Sequence, residues 1–598
     1  MEYKYIDVAD AILKEYEERL GVNKAYAKVL HNRGMNPDIL SEILKNPGLF
    51  IRKQPKINNV EEAAKSVLAV ARDPKIEIWT FNDYDVDGLT SGYIATDFLS
   101  KIAVNEVQVK FPNRSEGYGL SMEFCKKLVE YKNSNEEGLL PFVITTDNGV
   151  TKVEEVDYLK SNGIDCLITD HHQPKEILPD ALIVNPHIDK EGHGKHLAGC
   201  AVAYKLMREI ELAIHKESSF DCKLADLNTD QYLFAVAIGT IADMMPSHPE
   251  NIAFVLEGFR KIKKNEISEG FKVFFKFLGI KEPTVKSIGF EIGPRLNACG
   301  RLNDIYQAAL LFFEEDPDEA LEIIRGIEVL NNERKKHTKK LQEEIKKENF
   351  ATENVLFFNM DQYPVGIGAI AAGKMSDQFN RPAIAYAKVD NDTAKGSIRS
   401  ISGVNLVPIL EELKQEGLII DYGGHEEAAG LSFLIEKLDL LMQRAEALFE
   451  EELKKLEDLG EKVIYIDDYL DFSFLTKKYY EELNTIPLLF NVDDPIFYFK
   501  DLTVIGINFS SNNQENIQFT LEDPKGNIKK IWAWRFASSY KDLGSPKKID
   551  IIGEITPDFM NKKKMTIQVI DILKSETPKE EIKKNLIMKK NKKRRLVI

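Results

Sequence analysis

The chain has 598 residues, 43% of them hydrophobic and 29% charged, and a formal charge of −16; this is a globular composition, too long for one core and suited to roughly three to five domains. Its five cysteines (Cys125, Cys166, Cys200, Cys222, Cys299) lack CxxC spacing, and no membrane span or leader pattern is visible, which argues against a zinc knuckle, a disulfide framework and a membrane partner and leads us to expect a cytoplasmic protein. Residues 579–598 carry nine Lys or Arg against Glu580 and Glu581, so nucleic acid remains an eligible partner through a local groove or this tail, whose bland reading is a solubilising end.

Residues 1 to about 70 read as a helical preface without chemistry, with NRGMNPDIL between two amphipathic stretches. From 75 to about 190 the short apolar runs KIEIWTF, VQVKF, PFVITT, CLIT and ALIVN alternate with helical stretches, the rhythm of a mostly parallel sheet. The first run enters WTFNDYDVDGLTSG (79–92), in which Asp83, Asp85 and Asp87 stand two apart before a helix over Leu89 to Leu99. Acids at the carboxyl end of a strand lie where open α/β sheets bind ligands. Packed this closely they repel and raise one another's pKa, unless a hard divalent cation converts the repulsion into binding.

Two further strands end in polar clusters, PFVITT in Asp147-Asn148-Gly149 and CLIT in Asp170-His171-His172. FAVAIGTIADM reads as a buried helix ending at Asp243, by itself a cap or turn residue. Together, carboxylates and imidazole without thiolate form a donor set for manganese, magnesium or iron, and paired cations about 3.5 to 4 Å apart hydrolyse phosphoesters. Adjacent histidines serve core packing poorly, which favours ligation or phosphate contact for His171 and His172.

Residues 313 to 350 read as one long helix, with Ile323, Ile327, Leu330, Leu341 and Ile345 near helical spacing. KGSIRS (395–400) leads to a helix in GVNLVPILEEL, and the glycines of GGHEEAAG (423–430) flank His425, as where backbone must approach a ligand. From about 460 to 572, LTVIGINF, NIQFTLED, IKKIWAWRF, KIDIIGEI and KMTIQVIDI alternate as an antiparallel domain of five or so strands. Its aromatics Phe509, Phe519, Trp532, Trp534 and Phe536 interleave with lysines, which suits either base stacking or core packing.

DYDVDGLTSG, PNRSEGYGL (112–120), TTDNGV (145–150), TDHHQP (169–174), VNPH (184–187), GTIADMMP (239–246) and IGPRLNACGRL (292–302) in series resemble the DHH phosphoesterase family, in its RecJ-type single-strand-specific exonucleases. The resemblance implies an α/β fold with a parallel-sheet catalytic lobe and an α/β substrate lobe joined by a long helix, then an OB-like β-barrel. The expected division is 1–70, a DHH catalytic domain 71–260, a helical connector 261–350, a substrate domain 351–455, an OB-like domain 456–575 and a basic tail 576–598. By motif, Asp85 and Asp147, with Asp83 nearby, would hold one cation, and Asp87, Asp147, His171 and Asp243 the second, manganese first and magnesium as alternative. Asp147 would bridge, and His172 would face the scissile phosphate as stabiliser or proton donor. Arg114, Ser397 and Arg399 would bind a 5′-phosphate, with Asn297, Arg301 and His425 as further substrate contacts and Asn331, Asn332 and Arg334 toward the cleft.

The implied activity is metal-dependent 5′→3′ hydrolysis of single-stranded DNA to mononucleotides in repair and recombination, with single-strand-binding protein and a helicase as partners. A short-oligonucleotide or cyclic-dinucleotide phosphodiesterase and a non-catalytic replication scaffold are the alternatives. Tyr363-Pro364 stands where the family usually has a Trp-His or Trp-Asn pair, and LLFNVDDPIFYF replaces its glycine-rich entry to the β domain.

Overall fold

The computed structural model describes residues 2–112, 119–188, 191–217, 227–302, 304–457, 463–490, 494–510, 515–558, 561 and 563–575; Arg114 and the basic tail lie outside the described residues. The chain forms two compact units, one from the described parts of 1–54, 246–256 and 461–598, the other from 55–245 and 257–460. Strand β1 (Glu2–Tyr5) opens the smaller unit.

In the larger unit, β2 (Ile76–Asn82), β3 (Gln108–Lys110), β4 (Leu140–Thr146), β5 (Cys166–Thr169) and β6 (Leu182–Val184) form a fully parallel sheet in the order β3-β2-β4-β5-β6. β4 and β5 are buried along nearly their whole length, as expected of strands covered on both faces. Because the chain leaves β2 for one side and returns to β4 on the other, the loops after these two strands flank a crevice at the carboxyl edge. Helices Val86–Ile102, Gly199–Lys216 and Leu233–Ala242 pack on one another beside this sheet.

The long helix runs over Pro317–Ile345, with Asp316 accepting the N–H groups of Asp318 and Glu319 as its cap. Ile324, Ile327, Leu341 and Ile345 are buried, whereas Ile323 and Leu330 of the expected stripe are only half-buried, Ile323 one position off the inward face. Leu341 and Ile345 join the core of a second sheet with Leu356, Phe358 and Met375. That sheet comprises β7 (Leu356–Asn359), β8 (Ala383–Lys388), β9 (Thr393–Arg399), β10 (Asp421–His425) and β11 (Ala428–Leu434) in the order β10-β11-β9-β8-β7, parallel only between β7 and β8. Tyr363, which takes the place of the usual Trp, is buried and donates its hydroxyl to Glu344 at 2.6 Å, so it works as a strut to the long helix.

In the smaller unit β12 (Val463–Ile466) pairs in parallel with β1, and β13 (Asp468–Leu470) in parallel with β14 (Phe497–Phe509). β15 (Ile517–Glu522), β16 (Ile528–Ala533), β17 (Lys548–Pro557) and β18 (Met565–Lys574) complete an antiparallel sheet in the order β16-β15-β14-β17-β18. Phe519 is core, whereas Phe509 and Trp534 are exposed and the Trp532 and Trp534 rings stack 5.2 Å apart. The helices between Asp10 and Lys53 are part of this unit rather than a preface. Arg33 donates to both oxygens of the buried Asp467, and Asn32 donates to the same carboxylate at 3.2 Å. Helix Val60–Arg72 instead belongs to the larger unit, where Asn59 donates to the Ile183 carbonyl at 2.9 Å.

Candidate metal centre

The loop after β2 and the helix that follows place the first acids. Asp85 caps helix Val86–Ile102, its Oδ1 accepting the N–H groups of Asp87 at 3.0 Å and Gly88 at 3.1 Å, a strong N-cap arrangement. Asp87 lies one turn into the site and accepts N–H bonds from Gly199 at 2.6 Å and Cys200 at 2.9 Å, the first residues of helix Gly199–Lys216. A helix N-terminus thus favours the ionised form of this carboxylate, in opposition to its burial. After β4 the backbone turns at Asp147, in the left-handed region at φ 62°, and at Gly149, φ 111°. Asn148 fastens the turn by donating to the carbonyls of Phe81 at 3.2 Å and Thr146 at 2.9 Å, across the crevice between β2 and β4.

The loop after β5 supplies the histidines. His171 Nε2 lies 3.2 Å from Asp147 Oδ1, 3.7 Å from Asp87 Oδ2 and 3.6 Å from Asp243 Oδ2. Burial and the neighbouring His172 hold its pKa down at about 3, so the imidazole is neutral and offers a lone pair. His172 behaves oppositely. Burial lowers its pKa, but Asp170, accepting from Nδ1 at 2.7 Å, together with Asp243 and Asp83, raises it to about 9. Asp170 also accepts the N–H groups of His171, His172 and Val150. Against its burial, the histidines and these bonds hold it at about 2. Asp170 thus orients both histidines while its charge is spent inside the loop. The sequence places Asp170 in the polar cluster after β5 but assigns it no role of its own; the only signal is its place directly before the histidines.

Among the described residues, three groups of donors have their ligand atoms within 4.8 Å of one another: Asp83, Asp85 and Asp147; Asp87, His171 and Asp243; and Asp147, His171 and His172. Charge and sterics both fit divalent cations. Burial and Asp85 push the Asp87 carboxyl up to about 6, and burial with the surrounding aspartates pushes Asp147 and Asp243 well above the ordinary range. Hard cations accept such a set of oxygens with imidazole. Glycines make the cradle, since a Cβ on Gly199 would fall 2.5 Å from Asp147 Oδ1, and one on Gly239 would fall 2.5 Å from Cys200 Sγ and 2.8 Å from Asp87 Oδ1. Neither glycine was legible as functional in the sequence, because each is defined by what approaches it in space.

The remaining candidates are spread over the larger unit. Asn297 and Arg301 lie on helix Gly293–Arg301, whose Gly300 packs against the Tyr84 carbonyl of the metal loop. Arg301 donates to the Gly366 carbonyl at 2.8 Å. Ser397 lines a cavity of about 30 Å³ with Gly368 and Lys395. Arg399 ends β9; burial lowers its guanidinium pKa and Glu427 opposes that shift. His425 closes the β10–β11 hairpin, where Gly424 at φ 152° passes too near Ala428 and Ala429 to admit a side chain. The His425 and His172 rings lie nearly parallel, 6.2 Å between centroids, so the second sheet reaches the centre. His187, with Nδ1 2.9 Å from Gln173 Nε2, is a neighbour the sequence reading left in its motif without a role.

The raised carboxyls dictate a pH response. Between the ordinary aspartate value of 3.8 and the raised values, about 6 for Asp87 and well above the ordinary range for Asp147 and Asp243, the folded protein binds more protons than the unfolded chain. Stability without metal should therefore fall as pH rises through that window. Manganese should restore it, with a gain in Tm that grows from pH 5 to pH 8. Thermal melts in chelator and in manganese check this; a gain independent of pH would show that the acids are not what the cation relieves.

Carboxylates and a neutral imidazole at the switch point of a parallel sheet, with a second α/β domain reaching over them, define a metal-dependent phosphoesterase centre. Residues 77–240 match the DHH family, N-terminal domain, residues 352–451 the DHHA1 domain, and residues 466–571 the RecJ OB domain. Over 404 residues the chain is 30% identical to the single-stranded-DNA-specific exonuclease RecJ of Escherichia coli (strain K12), covering 65% of this chain and 69% of that one. RecJ of Bacillus subtilis (strain 168) is 29% identical over 598 residues, 94% of this chain and 70% of its own. The fold matches a crystal structure of RecJ from Thermus thermophilus in complex with Mn2+, with TM-score 0.76, 22% identity, and coverage of 96% of this chain and 80% of that one. The chain belongs to the RecJ family.

Proposed function

We propose that the chain is an exonuclease specific for single-stranded DNA that hydrolyses phosphodiester bonds from the 5′ end and releases mononucleotides, using two divalent cations, manganese foremost. The observation that carries this reading is the overlap of three ligand groups on Asp147 and His171 at one sheet edge. The RecJ names of the relatives and the Mn2+ in the Thermus structure support it. Asp83, Asp85 and Asp147 would hold one cation, and Asp87, Asp147, His171 and Asp243 the other. Bound there, the pair supplies an activated water and charge neutralisation at the attacking and leaving oxygens. His172, kept protonated by Asp170, contributes positive charge and a proton donor toward the phosphate. The intact ligand set disfavours a scaffold, and the OB domain with its exposed Trp534 disfavours a dinucleotide specialist.

Direction follows from the strand terminus. Arg399 and Ser397 on β9 form the 5′-phosphate pocket in this reading, because guanidinium groups grip phosphate through paired charge-assisted bonds. A strand blocked at its 5′ end by a bulky group should be degraded at least tenfold more slowly than its 5′-phosphorylated twin. Arg399→Ala should narrow that difference by slowing only the phosphorylated strand. End-labelled products resolved in time check both; shortening from the 3′ end would reverse the assigned polarity.

No helix among the described residues is long and apolar enough to cross a membrane, and a cytoplasmic location on chromosomal DNA suits the activity. A nuclease confined to single strands also needs its substrate opened and held open, which makes a helicase and a single-strand-binding protein its proposed partners. We retain the domain division above as a proposal, with the first boundary moved to 54.

A further inference from the structure

We propose that Met244 and Phe290 form an apolar platform on which the bases of the incoming strand stack beside the metal centre, and that this platform contributes to selecting single strands. The inference rests on the reading of the site as acting on single-stranded DNA.

Met244 directly follows Asp243. It stands in the left-handed region at φ 56° and is 63% exposed. A non-glycine residue in that conformation is strained, and such positions cluster at functional sites; glycine would relieve the strain, yet the chain keeps a long apolar side chain there, in water. Phe290 is 67% exposed, in a single turn of π-helix over Ile288–Ile292. Such turns are rare and concentrate at functional sites. This one packs against helix Leu233–Ala242, the helix that ends at Asp243. A Cβ on Gly293 would lie 3.9 Å from that of Ala242, so the two exposed side chains leave segments that meet one residue before a metal ligand. Arg295 fixes the arrangement, donating to the Glu291 carbonyl and to Glu328 on the long helix, both at 2.7 Å.

Continuity with the metal centre points to the substrate as the occupant of this surface. A sugar-phosphate backbone has nothing to offer thioether and phenyl faces, whereas unpaired bases do. Bases inside a duplex are already stacked on one another, and only the terminal pair offers an open face. A platform that takes the faces of successive bases therefore favours single strands.

Binding and turnover separate this proposal from the one on which it rests. In an Asp147→Ala background, a single strand carrying 2-aminopurine near its 5′ end should lose fluorescence on binding, and Phe290→Ala and Met244→Ala should each restore much of it. In the active enzyme, Phe290→Ala should raise KM for a base-bearing strand on the order of 10- to 100-fold, as loss of a stacking aromatic does, with kcat within about twofold; Phe290→Trp should retain the wild-type KM. An abasic strand should bind wild type and Phe290→Ala equally. Tighter binding of base-bearing than abasic strands that survives Phe290→Ala, or quenching untouched by both substitutions, overturns the platform and leaves the face to a protein partner. Absent hydrolysis by wild type with the quenching pattern intact would overturn the nuclease reading instead.

Discussion

Asp147→Ala is expected to lower hydrolysis of end-labelled single-stranded DNA by at least two to three orders of magnitude, the cost of removing a group that holds transition-state charge, while leaving strand binding largely intact. Asp147 belongs to two of the three ligand groups and touches His171 at 3.2 Å, so its loss disperses both proposed cation sites. The fold should survive. In the metal-free protein this buried carboxyl is already pushed well above its ordinary pKa by burial and by Asp87, Asp85, Asp83 and Asp243, so deleting it relieves repulsion near neutral pH. The variant should therefore melt in chelator at or above the wild-type Tm and gain less than wild type from manganese. Activity above about a tenth of wild type would sink the bridging assignment.

Asp170→Asn should be nearly as damaging, although Asp170 belongs to none of the ligand groups. The amide keeps the size of the side chain but sets an N–H donor where one oxygen accepted, against Val150 or the histidines, and removes the charge that holds His172 protonated at about 9. In the metal-free variant the His172 pKa should fall to about 6.5 or below, measurable by NMR titration of the ring. Hydrolysis at pH 8 should drop about 100-fold or more, since a misprotonated, misoriented imidazole loses most of its catalytic benefit, and the remaining activity should shift toward lower pH. The pair also carries stability of opposite sign in pH. Asp170, with its lowered value, stabilises above 3.8, and that contribution fades as pH falls toward about 2. His172, with its raised value, stabilises below 6.5, and its contribution fades as pH rises through about 9. A variant with wild-type rate and an unshifted His172 would remove Asp170 from the mechanism.

What could be read from the chain was whatever repeats locally. The alternation of strands and helices, the acids two residues apart after β2 and the polar ends of β4 and β5 are all statements about neighbours in sequence, and each predicted element is present. Features set by distant partners were not readable. Gly199 and Gly239 look like ordinary helix glycines until Asp147 and Asp87 are seen against them. Of the aromatics in the β domain, alternation could not say which face they serve; the pairing of β14, β15 and β16 turns Phe519 inward and leaves Phe509 and Trp534 in water. The N-terminal helices read as a preface in the sequence because what they pack on, such as Asp467 for Arg33, follows more than four hundred residues later. The stripe of the long helix erred by one residue at Ile323 because one apolar neighbour, Ile324, was equally eligible by spacing.

That last separation between the N-terminal helices and their partners has a consequence for how the protein is made. β1 pairs with Val463–Ile466 in register from Glu2 to Tyr5, so this strand has no partner until residue 463 has emerged from the ribosome. At about 5 to 20 residues per second, this is a wait on the order of 20 to 90 s. The first fifty residues must spend it as an incomplete fragment while the whole larger unit forms between them and their partner. Newly made chains should accordingly hold the N-terminal segment accessible to protease long after the metal-binding unit is protected, and become resistant there only when the β domain is finished.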